Sequence, residues 1–295
     1  MDLMTHSTKL KKTLRASWHF SAIGTAWRID TSLELPNSVR QEITQRIEEF
    51  DANYSRFRED SFVAKLREPG VYTIPHDARP LLGLYKELYD LTSGRMTPLI
   101  GSVLESAGYD ANYSFVQSAA RPVPAFDALG WDGDVLLRPS EPIVLDVGAA
   151  GKGYLVDIVC GILDNNKINQ YTVDASGDIR TKGVVERVGL EHPGDSSKII
   201  GVCDVRNQSL CASAINRRAW RGLHHVFDPQ TLQPTDTLVA SWVVANSGLV
   251  ADGLATALFF VSPGELAKSY TFEYVTLDVY GAIDVSPGFN GELFV

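Results

Sequence analysis

The run from Ile143 to Leu163 constrains this chain most. A short apolar stretch, Ile143 to Val147, enters Gly148-Ala-Ala-Gly151-Lys152-Gly153, and a helix follows with Leu155, Ile158, Val159, Ile162 and Leu163 on one face. A strand handing over to a helix through small residues must place both against one core, with its backbone open at the turn. Around this unit the patterns alternate between strand and helix. Trp18, Phe20 and Ala22, then Trp27 and Ile29, predict a strand pair over 16–35 with Ile23-Gly24-Thr25 at its turn. Val39, Ile43, Ile47 and Phe50 recur at helical spacing after Asn37 or Ser38, either of which can cap. A second helix, 78–91, carries Leu81, Leu84, Tyr85, Leu88 and Leu91 and ends at Ser93-Gly94. Further strands are expected at 171–175, 199–205, 239–245 and 272–279, and a helix at 249–261. Strands interleaved with few helices predict an α+β fold rather than a doubly wound parallel sheet. Residues 107–142 are rich in Pro, Gly, Asp and Asn and mark the best place for a boundary. The charged stretch 53–61 reads as too polar for core.

Charge and cysteine usage narrow the function. The 295 residues carry 27 Lys and Arg against 36 Asp and Glu, a net charge of −9. That balance argues against nucleic acid, which needs a basic face, but leaves room for a small anion held by a local cation. Cys160, Cys203 and Cys211 form no C-x-x-C pair and no disulfide framework, so a reduced, mostly buried set is expected. No apolar run reaches membrane-spanning length. The start, MDLMTHSTKLKKTLRASWHF, has basic residues at Lys9, Lys11, Lys12 and Arg15 but no apolar segment after them and no lipoprotein cysteine, which predicts a cytoplasmic protein.

Four segments can carry chemistry. Residues 146–157, DVGAAGKGYLVD, place helix N–H groups and Lys152 where an anion could sit, or simply close a tight strand-to-helix turn with a solvated lysine. They are not a P-loop: the required glycine six positions before Lys152 is Asp146, and Gly153 stands where Ser or Thr belongs. In ADGLATAL, 251–258, Asp252 and Thr256 are four apart on one helix face; they suit a hard cation, or an exposed carboxylate beside a threonine bonding its own backbone. In HHVFDPQTLQP, 224–234, His225 precedes a turn and is either structural or a partner for a ring or phosphate. In VDASGDI, 173–179, Asp178 either caps local backbone or lines a ligand loop.

Their order is more telling than any one of them. D-x-G-x-x-x-K-G-Y-x-x-D, a strand ending in G-D-I, H-x-x-D-P-x-T and A-D-x-x-A-T-A-L, in this sequence, resemble the ApbE family of FAD:protein flavin transferases. Ile23-Gly24-Thr25 resembles that family's M-G-T, Asn53 to Ser61 its S-x-Y-x-x-D-S, and Thr92 to Leu104 its G-G-x-F-D-P-T stretch. The resemblance implies a mixed α+β fold with the cofactor between two lobes, here about 16–106 and 143–295 of a single unit spanning 1–295. It implies magnesium-dependent transfer of FMN from FAD to a threonine hydroxyl of an acceptor protein, releasing AMP. Some relatives instead hydrolyse FAD to FMN and AMP, and a binding protein without turnover is a third reading. By position, Asp252 and Thr256 become side-chain magnesium ligands, completed by the carbonyls of Ala149 and Ala255. Ile23, Phe57, Arg95, Met96, Thr97, Asp146, Lys152, His225 and Val226 become FAD contacts, and Asp252, His225 and Lys152 the catalytic set. The departures are specific. F-D-P-T is Met96-Thr97-Pro98-Leu99, A-T-S-G is Cys211-Ala212-Ser213-Ala214, and the glycine of D-P-x-T-G is Leu232.

Overall fold

A computed structural model describes residues 14–294. The basic N-terminal residues through Lys12 lie outside the described residues. The main sheet has eight strands, all antiparallel: β1 (Ala16–Ala22), β2 (Thr25–Thr31), β3 (Tyr171–Asp174), β4 (Ile179–Lys182), β7 (Ser209–Ala214), β8 (Leu238–Ala245), β9 (Glu273–Asp278) and β10 (Ile283–Val285), in that spatial order. The intervening β5 (Val185–His192) and β6 (Asp195–Arg206) leave this sheet and pair with β11 (Gly291–Leu293) in a second, three-stranded one. The fold is α+β with antiparallel sheets, as the interleaving requires.

Four helices pack on one face of the main sheet. In α1 (Asn37–Tyr54) the helical spacing buries Val39, Ile43, Ile47, Phe50 and Tyr54. α2 (Ala78–Leu91) buries Leu81, Leu84, Tyr85 and Leu88, and its end is closed by Gly94, whose N–H bonds the Tyr89 carbonyl at 2.7 Å with φ +85°. α3 (Gly151–Asn165) and α4 (Gly248–Ala257) lie side by side, α3 against α1 and α4 against α2. One core unites side chains from β2, the helices and β3, so strands from 16–31 and from 171–285 share both a sheet and a core.

Several expectations change. Ile143 to Val147 is no strand: its backbone N–H groups bond the carbonyls of Leu66, at the end of a short helix, and Pro98, in a 3-10 turn, rather than a neighbouring strand. Neither Asn37 nor Ser38 caps α1, which starts directly after Pro36. α4 stops at Ala257, since Leu258 to Phe260 tighten into turns. β4, β5, β7, β10 and β11 were not expected from the sequence. The stretch 53–61 is partly core: Arg56 and Ser61 are buried. All three cysteines are buried and unpaired. Among the described residues no helix is long and apolar enough to cross a membrane.

Candidate functional site

Turns from separate elements surround a cavity of about 950 Å³, at the upper end of small-molecule sites. The β1–β2 turn supplies Ile23, at φ +44°, and Gly24, at φ +76°. Positive φ at both central positions suits a tight hairpin, but it strains a β-branched residue such as Ile23. The β3–β4 turn adds Ser176 and Gly177, and Ser176 Oγ donates to the Ala26 carbonyl at 2.8 Å, tying this turn to the start of β2. β7 contributes Ala212 to Ala214, and α4 contributes Asp252 and Thr256.

The glycine turn forms the floor. Asp146 receives Gly148 N–H at 2.7 Å and the Nε of Arg56. Burial acts to raise the Asp146 carboxyl, but the Arg56 guanidinium and the Gly148 N–H outweigh it and hold it below the usual carboxylate range. Lys152 reaches across to the Ala175 carbonyl at 3.0 Å, the Ser176 carbonyl at 3.3 Å and Asp178 at 3.4 Å. α3 can approach α4 here because Gly153 faces Gly248: a Cβ on Gly153 would sit 2.2 Å from the Gly248 carbonyl oxygen. Gly153 N–H then donates to Asp252 at 2.8 Å. One helical turn further on, Asp157 accepts both Gly248 N–H and Leu249 N–H, stabilising the start of α4.

Asp252 is buried, not the exposed carboxylate the spacing also allowed. Burial, with Asp178 adding like charge, pushes it up to about 8, against the opposing pull of Lys152. Asp178 is also buried, is shifted upward by burial, and has no hydrogen-bond partner on either carboxylate oxygen. Thr256 Oγ1 lies 3.0 Å from Ser213 Oγ and 3.4 Å from the Ala149 carbonyl. The Ala149 N–H donates to the hydroxyl of buried Tyr85 at 3.3 Å.

His225 stands in the opposite wall. Burial, then Arg218 and His224, push its imidazole down to about 3, and Nδ1 has no partner. It is therefore neutral near pH 7. Asp228, three residues on, is bound by Arg95 through Nε at 2.9 Å and Nη2 at 2.8 Å, while Arg95 Nη1 donates to the Phe260 carbonyl at 2.9 Å. Thr97 accepts Leu99 N–H at 3.2 Å and so starts a short turn beneath the cavity.

The structure brings together Ile23, Phe57, Arg95, Met96, Thr97, Asp146, Ala149, Lys152, His225, Val226, Asp252 and Thr256 around the one cavity. Ala255 is the exception. It is fully buried away from the lining, and its carbonyl, one of the last in α4, accepts the hydroxyl of Ser241 in β8. Sequence reasoning missed Arg56, Arg218 and an aromatic wall in which Phe57 stacks on Tyr113 at 5.4 Å and Tyr109 on Trp220 at 5.2 Å. Arg56 lies over Phe57 at 4.2 Å and Tyr109 at 5.0 Å. An arginine beside an aromatic residue in an otherwise polar stretch was the available signal. Leu232 adopts φ +59°, a left-handed position that favours glycine.

A sequence model of the ApbE family matches residues 23–275. Relatives named FAD:protein FMN transferase include one from Vibrio cholerae serotype O1, 27% identical, covering 75% of this chain and 72% of that protein. Another, from Klebsiella pneumoniae, is 23% identical and covers 95% and 85%. Among solved structures, the ApbE protein of Thermotoga maritima superposes with a TM-score of 0.80 at 22% identity, over 92% of this chain and 97% of that one. The flavinyl transferase ApbE of Pseudomonas stutzeri gives 0.76 at 20% identity, over 97% and 98%. At that identity the likeness is one of fold.

Proposed function

The chain belongs to the ApbE family, and from that premise we propose that it transfers the FMN moiety of FAD to a threonine hydroxyl of an acceptor protein, releasing AMP. The observation that carries this reading is convergence: segments at residues 146–152, 176–177, 225–227 and 252–256, far apart in sequence, line one cavity large enough for a dinucleotide. We read the described chain as one unit built around that cavity.

The donor set fits a magnesium ion. Asp252, the Thr256 hydroxyl and the Ala149 carbonyl are hard oxygen ligands, and two buried carboxylates, Asp252 and Asp178, face only one lysine. When bound, such an ion offsets diphosphate charge. The chain's own residues do the rest. Lys152 and the N–H groups at the start of α3 face the diphosphate. Ile23 and Phe57 give apolar surface to a planar ring. In the reaction, the acceptor oxygen forms a bond to the FMN phosphorus, the bond to the AMP oxygen breaks, and the hydroxyl proton leaves to His225, a neutral imidazole with a free Nδ1. An entering diphosphate raises that imidazole's basicity by adding nearby negative charge.

Incubating the purified chain with FAD, Mg²⁺ and a threonine-bearing acceptor tests this. The expected products are AMP and flavin fixed to the acceptor. AMP with only free FMN would make water the acceptor, and bound but intact FAD would overturn turnover. Asp252→Ala is expected to slow AMP release by at least about a hundredfold.

A further inference from the structure

Five cationic side chains line the cavity, and four are engaged. Arg56 is held by Asp146, Arg95 by Asp228 and the Phe260 carbonyl, and Arg217 by Glu191 at 2.9 Å. Lys152 is spread over two carbonyls and Asp178. Arg218 alone forms neither an ion pair nor a side-chain hydrogen bond among the described residues, though it is only half exposed.

Its position is fixed from both sides. It follows the end of β7 by a tight turn, Arg217 N–H to the Ala214 carbonyl, and precedes Trp220 by two residues. Trp220 is buried, stacked on Tyr109, and bonded through Nε1 to the Ala107 carbonyl at 2.9 Å. The Arg218 guanidinium thereby hangs over the glycine turn: a Cβ on Gly148 would lie 3.5 Å from its Nη1. Asp146, the nearest carboxylate on that turn, is already filled by Arg56 and Gly148 N–H. A planar fork of N–H donors at the start of α3, with nothing to bind, matches tetrahedral oxyanions.

We propose that Arg218 binds the phosphate oxygens of the substrate over the Gly148 turn. The inference rests on FAD being that substrate. It makes Arg218 the uncommitted donor of the phosphate site, alongside Lys152, which the β3–β4 turn already engages.

Titration of flavin fluorescence with FAD and with riboflavin, which lacks phosphate, tests it in the full chain with Mg²⁺ present. Arg218→Ala is expected to weaken FAD binding by about ten- to a hundredfold and to leave riboflavin binding within about twofold. Arg218→Lys, which keeps charge but loses the fork, is expected to fall between. An unchanged thermal midpoint in both variants separates contact from misfolding. Wild-type FAD affinity in Arg218→Ala, or an equal loss for riboflavin, would overturn the role of Arg218. Failure of the unaltered chain to bind FAD would instead overturn the substrate reading itself, and Arg218's role with it.

Discussion

The cavity end of the eight-stranded sheet and the three-stranded sheet β5–β6–β11 differ in how well their groups are satisfied. At or just behind the cavity wall, Arg56 Nη1 and Nη2, both carboxylate oxygens of Asp178 and His225 Nδ1 are buried without a hydrogen-bond partner, though Lys152 and Glu105 offset the charge of Asp178 and Arg56 at 3.4 and 3.9 Å. Ile23 and Ser176 hold positive φ at its turns. In the three-stranded sheet no buried side-chain polar atom lacks a partner, and no non-glycine residue of its strands has positive φ. Its charges pair at the surface, Arg187 with Asp204 and Glu292 at 3.4 and 3.3 Å, Lys198 with Asp195 at 2.9 Å. Both regions come from the same chain and the same kinds of strand. Arg28 Nε, Arg40 Nε, Arg46 Nη1 and Thr172 Oγ1 are orphaned away from the cavity too, but a cluster of orphaned groups with strained turns stands where a ligand can complete it, and the three-stranded sheet has no such cluster.

The largest effect that would break this comparison concerns glycine packing. Gly153→Ala puts a methyl 2.2 Å from the Gly248 carbonyl and 2.6 Å from Asp252 Cβ, so α3 and α4 must separate. Backbone cannot yield as a side chain can, and the expected loss is about 3 kcal/mol. Gly189→Ala in β5 meets only the Ile199 side chain, its Cγ2 methyl at 3.0 Å, and is expected to cost no more than about 1 kcal/mol. Denaturant unfolding of the two variants checks this; equal losses would mean the cavity floor is no more tightly specified than the outer sheet.

A smaller effect probes charge. The Asp146 carboxyl lies below its ordinary 3.8 because Arg56 and Gly148 outweigh burial. Its folded form thus binds fewer protons than the unfolded chain around that pH, so its contribution is complete above about pH 4 and disappears as pH falls through the lowered value. Asp146→Asn is expected to lose about 2 kcal/mol at pH 7 and to approach the unaltered protein as pH falls below the lowered value. Stability curves that stay parallel from pH 7 to below that value would show that the Arg56 pair does not stabilise the folded chain.

The sequence disclosed elements whose period matched their burial. Val39, Ile43, Ile47 and Phe50 lie on the inner face of α1 because helical spacing and core burial coincide there. Ile143 to Val147 misled for the opposite reason: alternate side chains are buried as in a strand, yet its backbone partners are carbonyls of distant short helical turns that no local pattern encodes. Asp252, Thr256, Lys152 and His225 were legible because each sits in a short ordered motif. Arg56 and Arg218 were not, since a buried arginine and a solvated one look alike in sequence until Asp146, Tyr109 and Trp220 are placed around them. Ala255 was misplaced by motif transfer, because its carbonyl faces β8.

The smallest expected effect is the sharpest control. Arg187 lies on β5, is more than half exposed, and touches Asp204 and Glu292 only at 3.3 to 3.4 Å. Water screens such pairs, and holding a long side chain in place costs entropy that offsets most of the attraction. Arg187→Ala is therefore expected to change stability by no more than about 0.5 kcal/mol, with FAD affinity unchanged because no residue of the three-stranded sheet lines the cavity. Arg218→Ala is the same substitution at a half-exposed arginine that has no ion pair to lose. If charge removal acted through the summed field of the protein, the two would weaken FAD binding alike. If it acts through contact over the glycine turn, only Arg218→Ala does so, and differential titration of the two variants at low and moderate salt distinguishes these, since a field effect fades with screening and a contact largely persists.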